Sequence, residues 1–303
     1  MRASQAKESA TFSEVAPKLI RKHSNCESSA KVDELLETKK LDGASKRYLG
    51  DLSHRLRLFA KSFDGKNVSD FKAAEIDRWL RSLGVQPVTR NNFRRALMVG
   101  FQFATKHGYC VANPVKETAK AKVVESPVGI LTPEQIARLL EKADSSIAPF
   151  IAIGAFAGLR RAELERLDWR EVDLQSRLIQ VTAAKAKSAR RRFVQIHPNL
   201  AKWLQPHARL AEPVAPLRYR ELLDKARAAA GTKEWPQNAL RHSFASYHLA
   251  HFNDAAKLAL ELGHTNAHLV FQHYREVVRP KEAARYWQIA PARGAKKIVG
   301  FKG

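Results

Sequence analysis

The stretch PQNALRHSFASYHLAHFNDAAKLALELGHTNAHLVFQHYRE, residues Pro236–Glu276, decides how the rest of the chain is interpreted. Its start and stop signals divide it into three short helical segments. In the first segment, Leu240, Phe244 and Tyr247 recur at helical spacing. This spacing predicts a helix that carries Arg241 beside its apolar stripe.

The second segment, AAKLALEL, begins after the capping residue Asp254 and ends at Gly263. We therefore expect His264 in the turn just past a helix end, where the backbone presents its side chain. Thr265 is suited to cap a third helix, which leads to Tyr274. An arginine, a histidine and a tyrosine on three neighbouring segments form a site suited to attack on a phosphodiester.

The charge balance of the 303 residues points to a polyanionic partner. The formal net charge is +23 and the pI is near 10.2, although the hydrophobic content of 45% is that of a globular protein. An excess of positive charge destabilises a compact chain by self-repulsion, which a polyanionic partner offsets. Nucleic acid is a better candidate for this partner than an acidic membrane surface. The sequence has no apolar run long enough to span a bilayer and no secretory signal. Two cysteines, Cys26 and Cys110, lack metal-ligand spacing, so we expect a reduced, cytoplasmic and nucleoid-associated protein.

The first part of the chain predicts an all-helical domain. Helical patterns cover residues 29–63, 68–83 and 89–109, separated by glycine-containing breaks. The third pattern is strongly basic. Its polar positions are plausible contacts to a DNA groove: Arg90, Asn91, Asn92, Arg94 and Arg95.

Residues 116–129 form a polar, lysine-bearing connector to the next domain. Two interpretations remain open, a solvated linker and a strap that crosses a phosphate backbone. The second domain begins at LTPEQIARLLEKA, because Thr132 is a good helix cap and Pro133 suits the first helical position.

The apolar run IAPFIAIGAFA predicts a buried helix that ends at Gly158. Arg160 and Arg161 follow this break at the mouth of the next helix. Glu163 stands three residues after Arg160 and can pair with its guanidinium, which would hold the fork in one orientation. The alternative is an ordinary pair of surface arginines.

Residues 177–196 predict a β-hairpin, with RLIQVTAA and RRRFVQI as its strands. A basic tip of this kind is suited to phosphate contacts, and a lysine on it can also reach a scissile bond. The basic residues that crowd the tip are Lys185, Lys187, Arg190, Arg191 and Arg192.

Direct displacement at a phosphodiester needs a nucleophile, positive charge on the nonbridging oxygens and a proton for the leaving oxygen. Two arginine forks can neutralise the pentavalent transition state, and a tyrosine hydroxyl can attack and conserve the bond energy as a phosphotyrosine. Histidine and lysine side chains can transfer the protons. A Ser-His-Asp mechanism is disfavoured, because the sequence contains no nucleophile-elbow motif.

Four sequence boxes in this order resemble those of the tyrosine recombinase, or phage integrase, family. AGLRRAEL (157–164) is similar to the first arginine box, ALRHSFAS (239–246) to the second, and LGHT and HY to the histidine and tyrosine boxes. The first part resembles the family's helical core-binding domain. The resemblance implies a mainly α fold with a small β-hairpin or sheet: a SAM-like core-binding domain followed by the catalytic domain of DNA breaking-rejoining enzymes.

The domain layout implied by this resemblance has five parts. They are an N-terminal arm at 1–28, a core-binding domain at 29–115, a linker at 116–129, a catalytic domain at 130–290 and a basic tail at 291–303.

By resemblance, Arg160 and Arg241 clamp the scissile phosphate, and Glu163 orients the first arginine. Tyr274 corresponds to the nucleophile, and His264 to the later His/Trp position of the family.

Lys187 corresponds to the hairpin lysine that protonates the leaving 5′ oxygen, with Lys185 as the alternative. His242 completes the family's Arg-His pair, and we interpret it as a structural helix residue. Lys185 and Arg190 are also expected to contact DNA.

Two features depart from the family pattern. The second box normally begins with histidine three residues before its arginine, whereas this chain has Asn238, which cannot exchange a proton at neutral pH. His248 and His273 are candidate substitutes. The spacing from His264 to Tyr274 is slightly longer than the family pattern, which a loop insertion accommodates.

The resemblance implies a site-specific DNA recombinase that cleaves and rejoins duplex DNA through a 3′-phosphotyrosyl intermediate. It would act without metal or other cofactor, as a homo-tetramer that exchanges strands through a Holliday junction, with accessory DNA-bending proteins as further partners. The helix after the tyrosine box would be exchanged between protomers. The alternatives are a nicking-closing or resolvase activity without partner exchange, and a DNA-binding protein of the same fold with weakened catalysis.

Overall fold

The computed structural model of the chain describes residues 28–124, 128–185, 191–209, 211–264, 268, 270, 274 and 278–292. Its internal contacts divide the chain into two compact units, Met1–Glu125 and Ser126–Gly303. The described residues are mainly helical with one small sheet, which confirms the predicted fold class. None of the helices among them has both the length and the apolar composition required to cross a membrane.

Among the described residues of the first unit, four α-helices surround an aromatic core. The Phe59 ring lies 4.9 Å from the ring centroids of Phe71 and Trp79 and 6.1 Å from that of Phe101. These contacts bury the apolar stripes that the sequence pattern predicted. The helices are α1 (Ser28–Leu41), α2 (Lys46–Ser62), α3 (Ala73–Ser82) and α4 (Pro87–Lys106).

The helical pattern over residues 29–63 corresponds to two helices and not to one continuous element. Gly43 adopts a left-handed φ of 79° after α1, and the Ser45 hydroxyl accepts a hydrogen bond from the backbone N–H of Tyr48 to begin α2. A left-handed residue followed by a serine cap is a strong local signal for a helix break.

The chain beyond residue 115 continues to pack on the first unit. Arg94 donates hydrogen bonds to the carbonyl oxygens of Val115 and Thr118, and Asn91 exchanges two hydrogen bonds with the backbone of Ala121. Thr118 and Ala121 are buried. The first part of the expected connector is therefore fixed along α4.

The second unit is built around a helix that is apolar on every side. All ten residues of Ala148–Ala157 are buried, as the sequence predicted, because this helix packs between neighbours on both sides. At its end Gly158 has a φ of 61°, and a Cβ there would lie 2.2 Å from the Phe244 ring, so this position requires glycine. The helices are α5 (Pro133–Lys142), α6 (Ala148–Ala157), α7 (Arg161–Leu164), α8 (Pro198–Leu204), α9 (Tyr219–Ala229), α10 (Ala239–Phe252), α11 (Ala255–Leu262) and α12 (Pro280–Trp287).

The predicted hairpin is present within a three-stranded antiparallel sheet. Strand β2 (Leu178–Val181) pairs with β3 (Arg192–Gln195), and Ile179 lies opposite Val194. A short first strand, β1 (Val172–Asp173), pairs with β2 and was not predicted, because two residues carry no periodic signal. The tip residues Lys187 and Arg190 lie outside the described residues.

Helix α12 packs against its own unit. Tyr286 is fully buried, stacks on Tyr247 with ring centroids 4.1 Å apart and donates a hydrogen bond to the Ala155 carbonyl. Trp287 donates to the Tyr247 carbonyl at 3.3 Å. In the isolated chain α6 and α10 thus provide a groove for residues 280–287, and exchange of this helix between protomers stays a prediction.

Replacement of Tyr286 tests this packing. Tyr286→Ala removes a buried ring and should lower the free energy of unfolding by about 3–5 kcal/mol. Leu217→Ala, at a fully exposed position, should leave it unchanged. Chemical denaturation of the DNA-free chain measures both, and the wild-type midpoint should stay constant over about a 100-fold range of protein concentration. A midpoint that rises with concentration would instead indicate exchange of α12 between chains.

Candidate active site

The C-terminal end of α11 receives both predicted catalytic arginines. Arg241 donates to the Leu262 carbonyl at 2.8 Å and to the Gly158 carbonyl at 2.7 Å. Arg160 donates to the Gly263 carbonyl at 3.2 Å. The last carbonyls of a helix lack intrahelical partners and carry the negative end of its dipole, so they are suited to hold cations.

Glu163 fixes the orientation of Arg160, as the three-residue spacing predicted. Its carboxylate accepts the Arg160 backbone N–H at 2.9 Å and the guanidinium Nη1 at 3.0 Å. Arg160 immediately precedes α7, so one carboxylate caps this short helix and aligns the fork at the same time.

A third arginine, Arg192, completes this arrangement and was not predicted as a site residue. It pairs in bidentate fashion with Glu163, at 3.0 and 2.6 Å, and donates to the Glu261 carbonyl at 2.7 Å. Sequence analysis assigned it to the basic hairpin tip. The alternation of inward-facing and outward-facing residues along β3 could have identified Arg192 as a buried residue, because it shares the inward face of the strand with Val194.

The electrostatics of these groups favour an anionic ligand. Burial opposes ionisation of Glu163, but hydrogen bonds and charge from Arg192, followed by the contribution of Arg160, lower the pKa of this carboxyl below its ordinary value. Burial, and next the charge of Arg160, lower the pKa of Arg241 to about 9. Two guanidinium groups thus share a single carboxylate, Arg241 adds a third positive charge nearby, and the Arg160 side chain remains 23% exposed. A phosphate that approaches Arg160 would meet uncompensated positive charge.

His264 lies directly against the second arginine. Its Nε2 is 3.2 Å from Arg241 Nη2, in the turn after α11 that the sequence predicted. A guanidinium can only donate, so His264 Nε2 accepts this hydrogen bond and the ring carries its proton on Nδ1.

Tyr274 is buried, with 4% of its surface exposed, and its hydroxyl lies 2.9 Å from His242 Nδ1. Burial raises the pKa of Tyr274, while the charges of Arg241 and Arg160 lower it to a smaller extent. The phenol is therefore protonated at neutral pH before substrate binds. His242, which we interpreted from the sequence as a structural residue, contacts the hydroxyl of the predicted nucleophile.

Asn238 lies one helical turn before Arg241, at the exposed N-terminal boundary of α10. It adopts a left-handed conformation with φ of 56°, which asparagine tolerates better than most residues. Of its two candidate substitutes, His248 is buried away from solvent among the rings of Phe244 and Phe252, and His273 lies outside the described residues.

The predicted DNA-contact residues fall into two groups. Arg94 and Asn91 direct their side chains to the backbone of their own unit, and Lys185 pairs with Glu171 at 2.6 Å. Arg95 is exposed and donates to Asn92, also a predicted groove contact, at 3.0 Å.

Arg90 lines a polar pocket in the first unit together with acidic and basic neighbours. The other pocket residues are Asp77, Leu80, Arg81, Ala119 and Lys120.

Residues 130–279 match the family described as the phage integrase family. Tyrosine recombinase XerC of Vibrio vulnificus (strain YJ016) is 28% identical over 204 residues, and the match covers 58% of this chain and 65% of XerC. The putative defective protein IntQ of Escherichia coli K12 is 22% identical over 240 residues, or 63% of this chain and 60% of IntQ. The chain thus spans somewhat less than two thirds of the length of these relatives.

Solved integrase structures have the same fold. A lambda integrase (75–356) dimer bound to a COC′ core site has a TM-score of 0.67 at 15% identity and covers 82% of this chain and 96% of that one. The Tn1549 transposon integrase in complex with a circular intermediate DNA has a TM-score of 0.62 at 18% identity and covers 84% and 97%.

The described residues therefore share the fold of these integrases. With its match over residues 130–279, the second unit belongs to the phage integrase family of tyrosine recombinases, which confirms the resemblance deduced from the four sequence boxes.

Substitution of Glu163 tests the arginine arrangement. Glu163→Gln leaves Arg160 and buried Arg192 without their carboxylate and should cost about 3–5 kcal/mol of unfolding free energy at pH 7. Because the folded-state pKa of Glu163 is lowered, its contribution is present above the unfolded pKa of about 4.3 and is lost as pH falls through the folded value. The stability gap between wild type and Glu163→Gln should therefore shrink below about pH 4.

Urea titrations between neutral and acidic pH measure this gap. Glu221→Gln, at an exposed ion pair on α9, is the matched control and should leave stability unchanged. A gap for Glu163→Gln that is independent of pH would contradict the assigned ionised state.

Proposed function

We propose that this chain is a site-specific DNA recombinase, an integrase that cleaves and rejoins duplex DNA through a 3′-phosphotyrosyl intermediate. The observation that carries the proposal is that α11 holds Arg160, Arg241 and His264 at one helix end, while Tyr274 contacts the histidine next to Arg241. These are the residues of the family's boxes, on a domain that belongs to the family.

The two arginines would bind the nonbridging oxygens of the scissile phosphate. Carbonyl groups hold part of each guanidinium in place, so little reorganisation is needed when charge accumulates in the transition state. His264, a neutral acceptor for Arg241 in the DNA-free chain, would add an Nδ1–H donor to the same phosphate or to its neighbours.

Tyr274 would attack phosphorus through its hydroxyl oxygen. In the tautomer with Nε2 protonated, the phenol donates to His242 Nδ1, and this nitrogen would accept the proton as the O–P bond forms. The P–O bond to the 5′ oxygen would break at the same time. This assignment gives His242 the proton-accepting role for which Asn238 is unsuited.

The leaving 5′ oxygen would take its proton from Lys187. Lys185, the alternative, forms an ion pair with Glu171 and is 25% exposed, which supports Lys187 as the lysine that reaches the DNA. Religation reverses the steps: the 5′ hydroxyl attacks the phosphotyrosine, and Tyr274 recovers its proton.

The proposed partner is double-stranded DNA bearing two recombination sites. A net charge of +23 supports binding to a polyanion, and the exposed Arg95 and the pocket residue Arg90 are the first-unit candidates for groove contacts. One structural neighbour is a lambda integrase tetramer bound to a Holliday junction. By analogy we propose a homo-tetramer on synapsed sites, assisted where necessary by DNA-bending proteins, at the nucleoid.

Asn238 supports a second candidate, a DNA-binding protein of the same fold with weakened catalysis. Asparagine can hydrogen-bond a phosphate oxygen but cannot exchange a proton at neutral pH. One relative, IntQ, is described as a putative defective protein, and the likeness to it agrees with this candidate. That description applies to IntQ and not to the present chain.

Cleavage of a nicked suicide substrate that carries the recombination site distinguishes the two candidates. Wild type should give a protein–DNA band that resists denaturant, because the broken strand diffuses away and traps the phosphotyrosine. Tyr274→Phe should give no band and bind DNA normally, while Tyr219→Phe serves as the matched control. The second candidate is correct if wild type binds DNA tightly but forms no band, whereas Asn238→His forms the band.

The role of His242 gives a separate prediction. His242→Ala should lower the single-turnover cleavage rate by about 100-fold, because the phenol loses its proton acceptor. DNA affinity should be unchanged, and the loss should diminish at high pH, where the phenol ionises without help. His251→Ala, at an exposed position of the same helix, is the control. Equal losses at all pH values would indicate that His242 only supports the fold.

A further inference from the structure

Three polar side chains meet in the interior of the second unit. His197 immediately precedes α8, His248 lies on α10, and Glu261 lies in the last turn of α11. All three are at least nine-tenths buried, with exposed fractions of 5%, 0% and 5%. Residues far apart in sequence are thus brought to one point by three separate elements.

Four of their buried polar atoms have no hydrogen-bond partner among the residues that the structure describes, although the Gln195 backbone donates to the Glu261 carboxyl. These atoms are His197 Nε2, both ring nitrogens of His248, and Glu261 Oε2. His248 Nε2 lies 3.8 Å from Glu261 Oε2, beyond the reach of a hydrogen bond. Such groups cost free energy when they are left unsatisfied, so their convergence requires an explanation.

We propose that His197, His248 and Glu261 form a structural binding site for a divalent metal ion of the zinc type. One ligand atom from each residue lies within 4.8 Å of the other two. Two imidazoles and a carboxylate are a ligand set that Zn²⁺ accepts, with a further position for water. Ligands of a tetrahedral zinc ion are separated by about 3.4 Å, so inward shifts of under about 1 Å would close the site.

The surroundings favour uptake of an ion by these ligands. The ring centroids of Phe252 and Trp287 lie 5.0 and 4.6 Å from that of His197, so two aromatic rings cover this side of the cluster. Burial lowers the pKa of His248 to about 3, so that its ring is neutral, and raises the pKa of Glu261 to about 7, so that its carboxyl would release a proton when an ion binds. The nearest charged groups, Lys257 and Asp254, have opposite signs, and Lys257 donates to the Gln195 side chain at 2.8 Å.

The position of the cluster explains what a bound metal would do. The Glu261 backbone carbonyl accepts the Arg192 hydrogen bond, and the next two carbonyls accept those of Arg241 and Arg160. A metal on the Glu261 carboxylate would fix the same helix end through a side chain, while the arginines hold it through its carbonyls. We therefore assign the site a structural role, which does not depend on the proposed reaction.

Zinc binding by the untagged, chelator-treated full chain tests the proposal. Equilibrium dialysis with elemental analysis should find one Zn²⁺ per chain for wild type and for His251→Gln, a histidine of the same helix outside the cluster. Glu261→Gln, which preserves side-chain shape, and His197→Gln should each weaken binding by at least about tenfold. Zinc at 100 times its Kd should raise the wild-type Tm by about 5 °C or more, and that of Glu261→Gln by less.

Cobalt provides a second readout that does not depend on stability. Co²⁺ in a tetrahedral site of nitrogen and oxygen ligands gives an intense visible absorption, which should appear in wild type and vanish in Glu261→Gln. Near-UV circular dichroism of the metal-free variants identifies any that fail to fold. The absence of zinc binding by wild type, or equal binding by a folded Glu261→Gln, would overturn the proposal in favour of an uncharged internal cluster or adventitious surface binding.

Discussion

The carboxylate of Glu163 is the interaction on which the second unit depends. It accepts hydrogen bonds from Arg160 and Arg192, and it is almost completely buried between them. A charge in that position is tolerated only because two guanidinium groups compensate it. Through Arg192 the carboxylate also fixes the distance between strand β3 and the end of α11.

The end of α11 is consequently the place where function is assembled. Three consecutive carbonyls, from Glu261 to Gly263, each hold a different arginine. Every helix end exposes such carbonyls, whatever its side chains. The arginines can therefore be held in place without additional carboxylates, whose negative charge would repel a phosphate. The same helix presents Glu261 to a buried pair of histidines, which links the proposed metal site mechanically to the proposed phosphate clamp.

Local signals explain which parts of the structure were predictable. Thr132 forms a complete capping box with Gln135, and Gly158 and Gly263 end their helices in left-handed conformations, as their positions in the sequence indicated. The fully apolar run before Gly158 predicted a central helix correctly. Strand β1 and the division of the first helical pattern were missed, because one is only two residues long and the other depends on a single serine cap. The packing of α12 on its own unit was not foreseen, since an apolar helix face does not indicate which chain covers it.

The sequence by itself determined the helical class, the family and the order of the catalytic candidates, because caps, apolar periods and box spacing are local properties of the chain. Tertiary structure alone decided that Arg192 completes the pair with Glu163, that His242 reaches the Tyr274 hydroxyl, and that His197, His248 and Glu261 converge. These contacts join residues 13 to 64 positions apart, across elements whose mutual orientation follows from core packing. No periodic pattern encodes that orientation, since it results from the simultaneous burial of many side chains.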